Sequence, residues 1–324
     1  MKKTLTIIWL LLLSFNFLYA QITEPEETLR KKTLDTLQGW KTGVTLSVSA
    51  TQTSFVNWAA GGQNSLALTN MGSIFAHYKK KNASWDNSFD VGYGVLRQGD
   101  DKIWKKTDDR IDLTSKFGKR ASKKWYYAAL LNFRTQFDAG YDYPNDSVKV
   151  SDFLAPAYII GGLGMDYKPT DNFSAFIAPA TSKTTIVNNQ TLADKGAFGV
   201  EKAVIDEATG NIITRGEKVR SEFGGYIRLA YQKSNILENV DISTRLDLFS
   251  NYLDNPQNID INWELLISMK INKYITVTLA SRIIYDDDMK IGIDTNDDGV
   301  HDKFGPRTQY SQVIGVGLAY RFTN

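Results

Sequence analysis

The chain has no cysteine and only two histidines, His77 and His301, in 324 residues. Without cysteine an exported chain has neither a disulfide framework nor a cysteine to carry a lipid anchor, so packing and strand pairing must hold it together. Two histidines leave little material for acid–base or transition-metal chemistry. Charge of one sign is also lacking: 38 basic residues face 36 acidic ones for a net charge of +2, and no basic cluster dominates any segment. Nucleic acid is therefore not an expected partner. Beyond the first twenty residues, no apolar run approaches the roughly 18 to 20 residues that a membrane-spanning helix needs.

Those first residues, MKKTLTIIWLLLLSFNFLYA, have a basic start at Lys2 and Lys3, an apolar middle and a small Ala20 before Gln21. This is the pattern of a secretory signal peptide. Residues 1–20 are read as that peptide, 21–39 as a periplasmic N-terminal segment with a thin stripe of Leu29, Leu34 and Leu37, and 40–324 as one large domain.

The domain is written in period two. Ile259, Ile261, Trp263, Leu265, Ile267, Met269 and Ile271 alternate with Asp260, Asn262, Glu264, Leu266, Ser268 and Lys270. Alternation of this kind marks a strand with one apolar and one polar face. It returns over 275–285 and 314–322. The same rule gives strands over 43–51, 66–79, 85–97, 111–119, 125–137, 153–167, 173–181, 222–232 and 240–250. About twelve antiparallel strands result, an even number as bacterial single-chain barrels require. The seventh is expected to be short, and Pro156 and Pro179 are expected near the outer ends of their strands, because proline cannot donate to a ladder.

Connections after even-numbered strands are short and those after odd-numbered strands mostly long, as in outer-membrane barrels with short periplasmic turns and long extracellular loops. Trp85, Trp125, Tyr167, Tyr231, Tyr320 and Phe322 gather near strand ends on the apolar parity, where interfacial girdles lie. The polar parity carries Asp86, Asp90, Arg110, Asp112, Lys116, Arg134, Glu222, Arg228, Asp241, Arg245, Asp247, Glu264, Lys270, Arg282 and Arg321. A lipid-facing Arg or Lys at mid-depth costs about 2 to 4 kcal/mol, so this set is assigned to the lumen. The competing arrangement is a soluble sheet with the same residues on a solvated surface.

Five strings carry a resemblance: NWAAGGQNS at 57–65, WDNSFDVGYG at 85–94, ASKKWYY at 121–127, GYDYPNDS at 140–147 and FLAPAY at 153–158. In these the chain resembles an uncharacterised Bacteroidota family catalogued as domain of unknown function 3078. The resemblance implies an outer-membrane setting and a Bacteroidota-type source, with no reaction or substrate attached.

One loop has the spacing of a calcium site. Asp294, Asn296 and Asp298 stand at positions 1, 3 and 5, Gly299 allows the turn at 6, the Val300 carbonyl falls at 7 and Asp302 at 9. Position 12, a bidentate Glu in an EF-hand, is Gly305, so further ligands must come from nearby chain, with Asp286, Asp287 and Asp288 as candidates. The cofactor expected is structural calcium; the alternative is a solvated Asx-rich hairpin loop. Phe55 and Trp58 in an unusually apolar outer loop, and Tyr141 with Tyr143 in GYDYPND, are candidate contacts for a ligand or a partner protein. Gly161, Gly162 and Gly164 mark close packing or a bend.

The expected function is a passive pore for small polar solutes, in contact with outer-membrane lipid, with a lumen of mixed charge that gives no strong ion preference. The alternative is a non-conducting structural or assembly barrel that binds through its loops. A barrel-type hydrolase would have to use His77 or His301, and the chain is read as a non-enzyme. Twelve strands lie between small filled barrels and wide porins. Pairing of Arg110, Arg134, Arg228, Arg245 and Arg282 with facing acids would close the lumen; an unpaired arginine ladder would leave a path.

Overall fold

The computed structural model describes residues 38–55, 63–99, 103–143, 145–170, 172–272, 275–293, 295 and 302–323. Twelve long strands pair in sequence order and close on themselves. They are β1 (Gly39–Thr53), β2 (Ser65–Lys80), β3 (Ala83–Gln98), β4 (Lys105–Arg120), β5 (Trp125–Thr135) and β6 (Ala157–Thr170). The second half comprises β7 (Phe173–Ile186), β8 (Val219–Leu237), β9 (Val240–Asn251), β10 (Ile259–Lys270), β11 (Ile275–Tyr285) and β12 (Gln309–Thr323). Closure is made by β1 against β12, antiparallel, with Gly43 opposite Thr323 and Ser49 opposite Gly317. Every barrel strand thus has two partners and no edge is left open.

Alternation sorts the side chains as the sequence requires. Leu46, Val48, Ile74, Leu113, Leu131, Ile177, Ile314 and Val316 point outward and are exposed, an apolar exterior that in water would invite aggregation and in lipid is the solvent-matched surface. At the short-turn end Trp40 packs in tilted contact with Tyr78 and Trp85, at 5.1 and 5.7 Å between ring centroids, and Trp125 with Tyr167 at 4.7 Å. In register, Trp40, Tyr78, Trp85 and Phe117 follow one another across four strands, which makes one arc of a girdle.

Several strand expectations need correction: β1 begins at Gly39, β4 at Lys105 and β12 at Gln309, before the expected 43, 111 and 314, and β8 runs on to Leu237, past 232. The sixth strand starts at Ala157, not Phe153, because Leu154 has a positive φ of 55° and turns the chain before Pro156. The seventh runs 14 residues, Phe173–Ile186, instead of ending at 181, so Pro179 lies well inside it. It is tolerated there because register shifts against β6, between Leu163 and Met165, and against β8, between Gly224 and Tyr226, place it in a bulge where no ladder donor is required.

Long connections fold onto the outer rim. Residues 187–218 carry the short helix α1 (Gln190–Asp194), whose first turn is capped by Asn189 Oδ1 accepting from the Leu192 N–H at 3.2 Å. Val187, Leu192, Ala193 and Val200 pack with Ala155 of the preceding outer loop as a small separate core. Asn189 also donates to Asp152 at 2.9 Å, so the two loops form one unit over that side of the mouth.

Candidate functional site

Among the described residues, charged, aromatic and small side chains from many strands converge on the inward face, which divides into two unlike arcs. On β5 to β9 the lumen wall is packed. Ala128, Leu130, Phe176, Ala178, Tyr226 and Phe249 form a buried apolar cluster joined by Ile160. Their neighbours by one residue, Tyr127, Leu131 and Ile177, point outward and are exposed. These strands are thus apolar on both faces over part of their length, and the signal lay in WYYAALL and FSAFIAPA, runs too continuous for a strand that is polar on one side throughout. The assignment of every inward position to polar lining missed this cluster.

Beside it, at mid-depth, stands an arginine–carboxylate network. Asp112 on β4 accepts from Arg134 Nε of β5 at 3.3 Å and from Arg245 Nη2 of β9 at 2.9 Å, and also from Asn132 at 2.7 Å. Asp247 accepts from Arg228 Nε at 2.6 Å and from the Tyr226 hydroxyl at 2.8 Å. Glu264 on β10 takes Arg245 at 2.8 Å, with Arg282 and Arg110 further off at 3.5 and 3.9 Å. Strands four and ten lie on opposite walls of a twelve-stranded barrel, so these contacts cross the lumen. Asp90 on β3 stands directly opposite Asp112 in register.

Two further ionic groups lie above and below. Toward the long loops, Lys183 is held by Asp260 at 2.5 Å, Asp286 at 3.2 Å and Glu222 at 3.5 Å. Toward the short turns, Lys116 pairs with Asp166 at 2.7 Å, Lys168 bridges Asp166 and Asp86, and Lys270 lies 3.6 Å from Asp241. His77 Nδ1 is 3.1 Å from Asp86 in the same lower group, and its ring stacks on Phe75. His301 lies outside the described residues.

The remaining arc, β11 through β12 and β1 to β3, carries small residues along its β12–β1 seam, flanked by Arg282 of β11, Phe75 and His77 of β2 and Asp86 and Asp90 of β3. Thr45, Ser47 and Ser49 of β1 and Ser73 of β2 alternate with outward Leu46, Val48 and Ile74, and Gly315 and Gly317 of β12 continue the strip. Ser49 donates to the Val316 carbonyl across the closing seam at 3.0 Å.

The outer-loop candidates fare unevenly. Tyr141 and Tyr143 sit 6.2 Å apart between ring centroids, on a loop ordered by Asn145, whose side chain accepts from the Ser147 and Val148 amides. The Phe55 amide donates to Asn64 at 2.6 Å, while Trp58 lies outside the described residues. So do Asp294, Asn296, Asp298 and Val300. Asp302, at the far end of that loop, accepts from both the amide and the hydroxyl of Thr295. The three suggested auxiliary ligands are already engaged: Asp286 by Lys183, Asp287 by Asn258 and the Tyr285 hydroxyl, Asp288 by Arg220.

Electrostatics in the outer loops are local. Hydrogen bonds from the Gln190 side chain and the Gly216 amide, aided by Arg215, hold the Asp194 carboxyl below the usual carboxylate range. Lys149 and Asn189 do the same for Asp152.

A closed antiparallel barrel, apolar outside and charged inside, is a membrane-spanning β-barrel by its physics. Residues 50–141 match the family model described as Protein of unknown function (DUF3078). No protein among the curated proteins matches the chain in sequence. Among solved structures the chain is similar to the NanC porin, at 9% identity with a TM-score of 0.35, covering 85% of this chain and 98% of that one. It is similar to the COG4313 outer membrane channel from Pseudomonas putida F1, at 10% identity and a TM-score of 0.38, covering 89% and 96%. A third is the translocator domain of the autotransporter NalP from Neisseria meningitidis, at 10% identity and 0.34, covering 92% and 94%.

Proposed function

We propose that the protein is a pore for small polar solutes in the outer membrane of a Gram-negative bacterium. The observation that carries this reading is the unequal lining of the lumen: bulky and ionic groups crowd the β4 to β10 wall, while Gly, Ser and Thr predominate along the β12–β1 seam, between Arg282 of β11 and Phe75 and His77 of β2. A strip of small, hydroxylated residues beside a charged belt gives a solute hydrogen-bonding surface without side-chain bulk in its way. Asp112, Asp247 and Glu264 are each engaged by arginine, which supports a structural and selective role for them over acid–base work. The five quoted strings support a Bacteroidota-type source.

The test is single-channel recording from the purified, folded protein in a planar bilayer. Reproducible steps are expected, and their absence from demonstrably folded protein would sink the open-pore reading. A second reading is favoured by the contacts between opposite walls, above all Arg245 with Asp112: a barrel held shut at mid-depth that acts through its loops. That reading expects no steps until the tie is cut. In either case calcium is proposed as a structural ion of the 294–302 loop, supported by the spacing of its acidic and amide residues.

A further inference from the structure

On the outward face, the lysines of the short-turn end follow the aromatic girdle. Lys80 stands two residues beyond Tyr78 on β2, Lys119 two beyond Phe117 on β4 and Lys233 two beyond Tyr231 on β8. A spacing of two keeps each lysine on the same face as its aromatic neighbour, one step further from the middle of the bilayer. All three are exposed, and none makes an ion pair among the described residues. A ring at the membrane interface with a lysine just beyond it puts the ammonium at headgroup level, its methylene stem lying along the apolar band. At the long-loop end, the ring pairs of Tyr93 with Phe137 and of Phe223 with Tyr252 are followed by Asp138 and Asp254 instead.

Two of these lysines share one rung. Lys80 pairs in register with Ala83 of β3, and Ala83 with Lys119 of β4. Their backbones are two strand spacings apart, about 10 Å, with only the Ala83 methyl group between them. The next rung on that face holds Tyr78, Trp85 and Phe117. The Trp85 indole N–H donates to Ser115 Oγ at 2.9 Å, and Ser115 in turn donates to Asn87 at 2.7 Å. Ser115 and Asn87 stand opposite each other one rung nearer mid-membrane, so the bond ties the indole toward the bilayer centre and away from Ala83.

We infer that Lys80, Ala83 and Lys119 form a surface site for the headgroup of an anionic glycerophospholipid in the periplasmic leaflet. The two ammonium groups donate to the phosphodiester oxygens over Ala83, and the acyl chains run across Trp85 and Phe117 onto the apolar exterior. A zwitterionic headgroup carries its own cation beside the phosphate and gains less. A soluble phosphate has the charge but no chains to lay on the rings. The site goes beyond the pore reading and does not rest on conduction.

The test uses the folded protein in phosphatidylcholine vesicles, with part of the lipid replaced by phosphatidylglycerol or phosphatidylcholine brominated in the acyl chains, which quenches tryptophan on contact. The signal is the portion of the quenching that Trp85→Phe removes. At low salt, brominated phosphatidylglycerol is expected to associate about fivefold more strongly than brominated phosphatidylcholine, the attraction of one lysine. The preference should vanish in the double variant Lys80→Gln with Lys119→Gln and persist in Lys202→Gln with Lys218→Gln, whose lysines are exposed on an outer loop. Inorganic phosphate at equal ionic strength should leave it unchanged. Equal quenching by the two lipids in wild type would overturn the site, as would a preference that survives loss of Lys80 and Lys119. A preference abolished by inorganic phosphate would overturn the lipid and assign the pair to a soluble anion. Heat-modifiable gel migration verifies folding; if the double variant fails to fold, Lys119→Gln carries the test, and the wild-type comparison of the two lipids needs no variant at Lys80 or Lys119.

Discussion

Arg245 and Asp112 are 133 residues apart in sequence and lie on nearly opposite walls of the barrel, yet the guanidinium donates to the carboxylate at 2.9 Å. Asp112 is 2% exposed and also takes Arg134, so the pair is a strut across the lumen and not a rim contact. Breaking one side of such a pair strands a buried charge. Arg245→Met is expected to destabilise the barrel by about 3 to 5 kcal/mol. The double variant with Asp112→Asn should lose less than the sum of the single losses, a coupling of about 0.5 to 3 kcal/mol. Urea unfolding in detergent measures both, and additive losses would show that the strut is not an energetic unit.

The apolar lumen cluster makes a different demand. Phe176 is fully buried on the inward face of β7, while its neighbour Ile177 is 43% exposed on the outward face. Phe176→Ala opens a cavity among Leu130, Tyr226 and Phe249 and is expected to cost about 3 to 5 kcal/mol. Ile177→Ala removes a side chain that faces the surrounding medium and should cost clearly less. Equal losses in unfolding titrations would contradict the assignment of faces.

How much of this was legible follows from period two. The strand β10, with Asp260, Asn262 and Glu264, is visible in sequence to within a residue or two because each charge fixes the parity, whereas β4 and β8, equally charged, extend six and five residues past their expected ends where the alternation fades. The lumen residues Arg134, Arg228, Arg245, Asp112 and Asp247 follow from that parity alone. What parity cannot supply is which wall each residue faces across the barrel, so the unequal sharing of Glu264 emerges only in three dimensions. Nor can it see a strand buried on both sides, where Phe176 and Leu130 look like lipid-facing residues in the wrong phase. Pro179 misled for a related reason: proline argues for a strand end unless a bulge relieves the ladder, and the bulge depends on partners in two other strands.

The glycines of β6 sharpen that point. A Cβ on Gly164 would lie 2.0 Å from the Ile177 carbonyl oxygen and 2.6 Å from the Ala178 Cα, both backbone atoms of the bulged strand. Neither can yield without undoing the bulge that accommodates Pro179. Gly164→Ala is therefore expected to abolish or severely impair folding, whereas Gly161→Ala, with nothing within 4 Å of its added carbon, should fold. Heat-modifiable migration on gels reads the outcome, and normal folding of Gly164→Ala would refute the close approach.

In the outer loops, pH offers a clean test. The Asp194 carboxyl accepts from the Gln190 side chain at 2.8 Å, the Gly216 amide at 2.8 Å and Arg215 at 2.7 Å, which holds its pKa below the ordinary value. A depressed folded value means that the unfolded loop takes up the proton first. The contribution is then complete above the ordinary carboxylate pKa of about 4 and is lost as pH falls through the lower folded value. Amide exchange across 187–218 should accelerate as acid is added below about pH 4, after correction for intrinsic rates. Asp194→Asn should exchange faster already at neutral pH and show a weaker acid dependence. An Asn variant indistinguishable from wild type would remove Asp194 from any role in ordering the loop.

The 294–302 loop provides the last test, because its calcium reading rests on spacing and its neighbours narrow the ligand set. Asp286, Asp287 and Asp288 are held by Lys183, Asn258 and Arg220, so recruiting them would break contacts already made. Asp294, Asn296, Asp298 and the Val300 carbonyl then remain, with Asp302 a ligand only alongside or in place of its contacts to Thr295, fewer than the 6 to 8 oxygens calcium prefers, with water to complete the shell. Such a site belongs to the weak extracellular class, with a dissociation constant on the order of 10⁻⁴ to 10⁻³ M. Calorimetric titration of calcium into the folded protein should show one site in that range, abolished in Asp298→Ala and retained in Asp287→Ala. Loss in Asp287→Ala would return the basal aspartates to the ligand set, and no binding in wild type would leave the loop an Asx-rich hairpin.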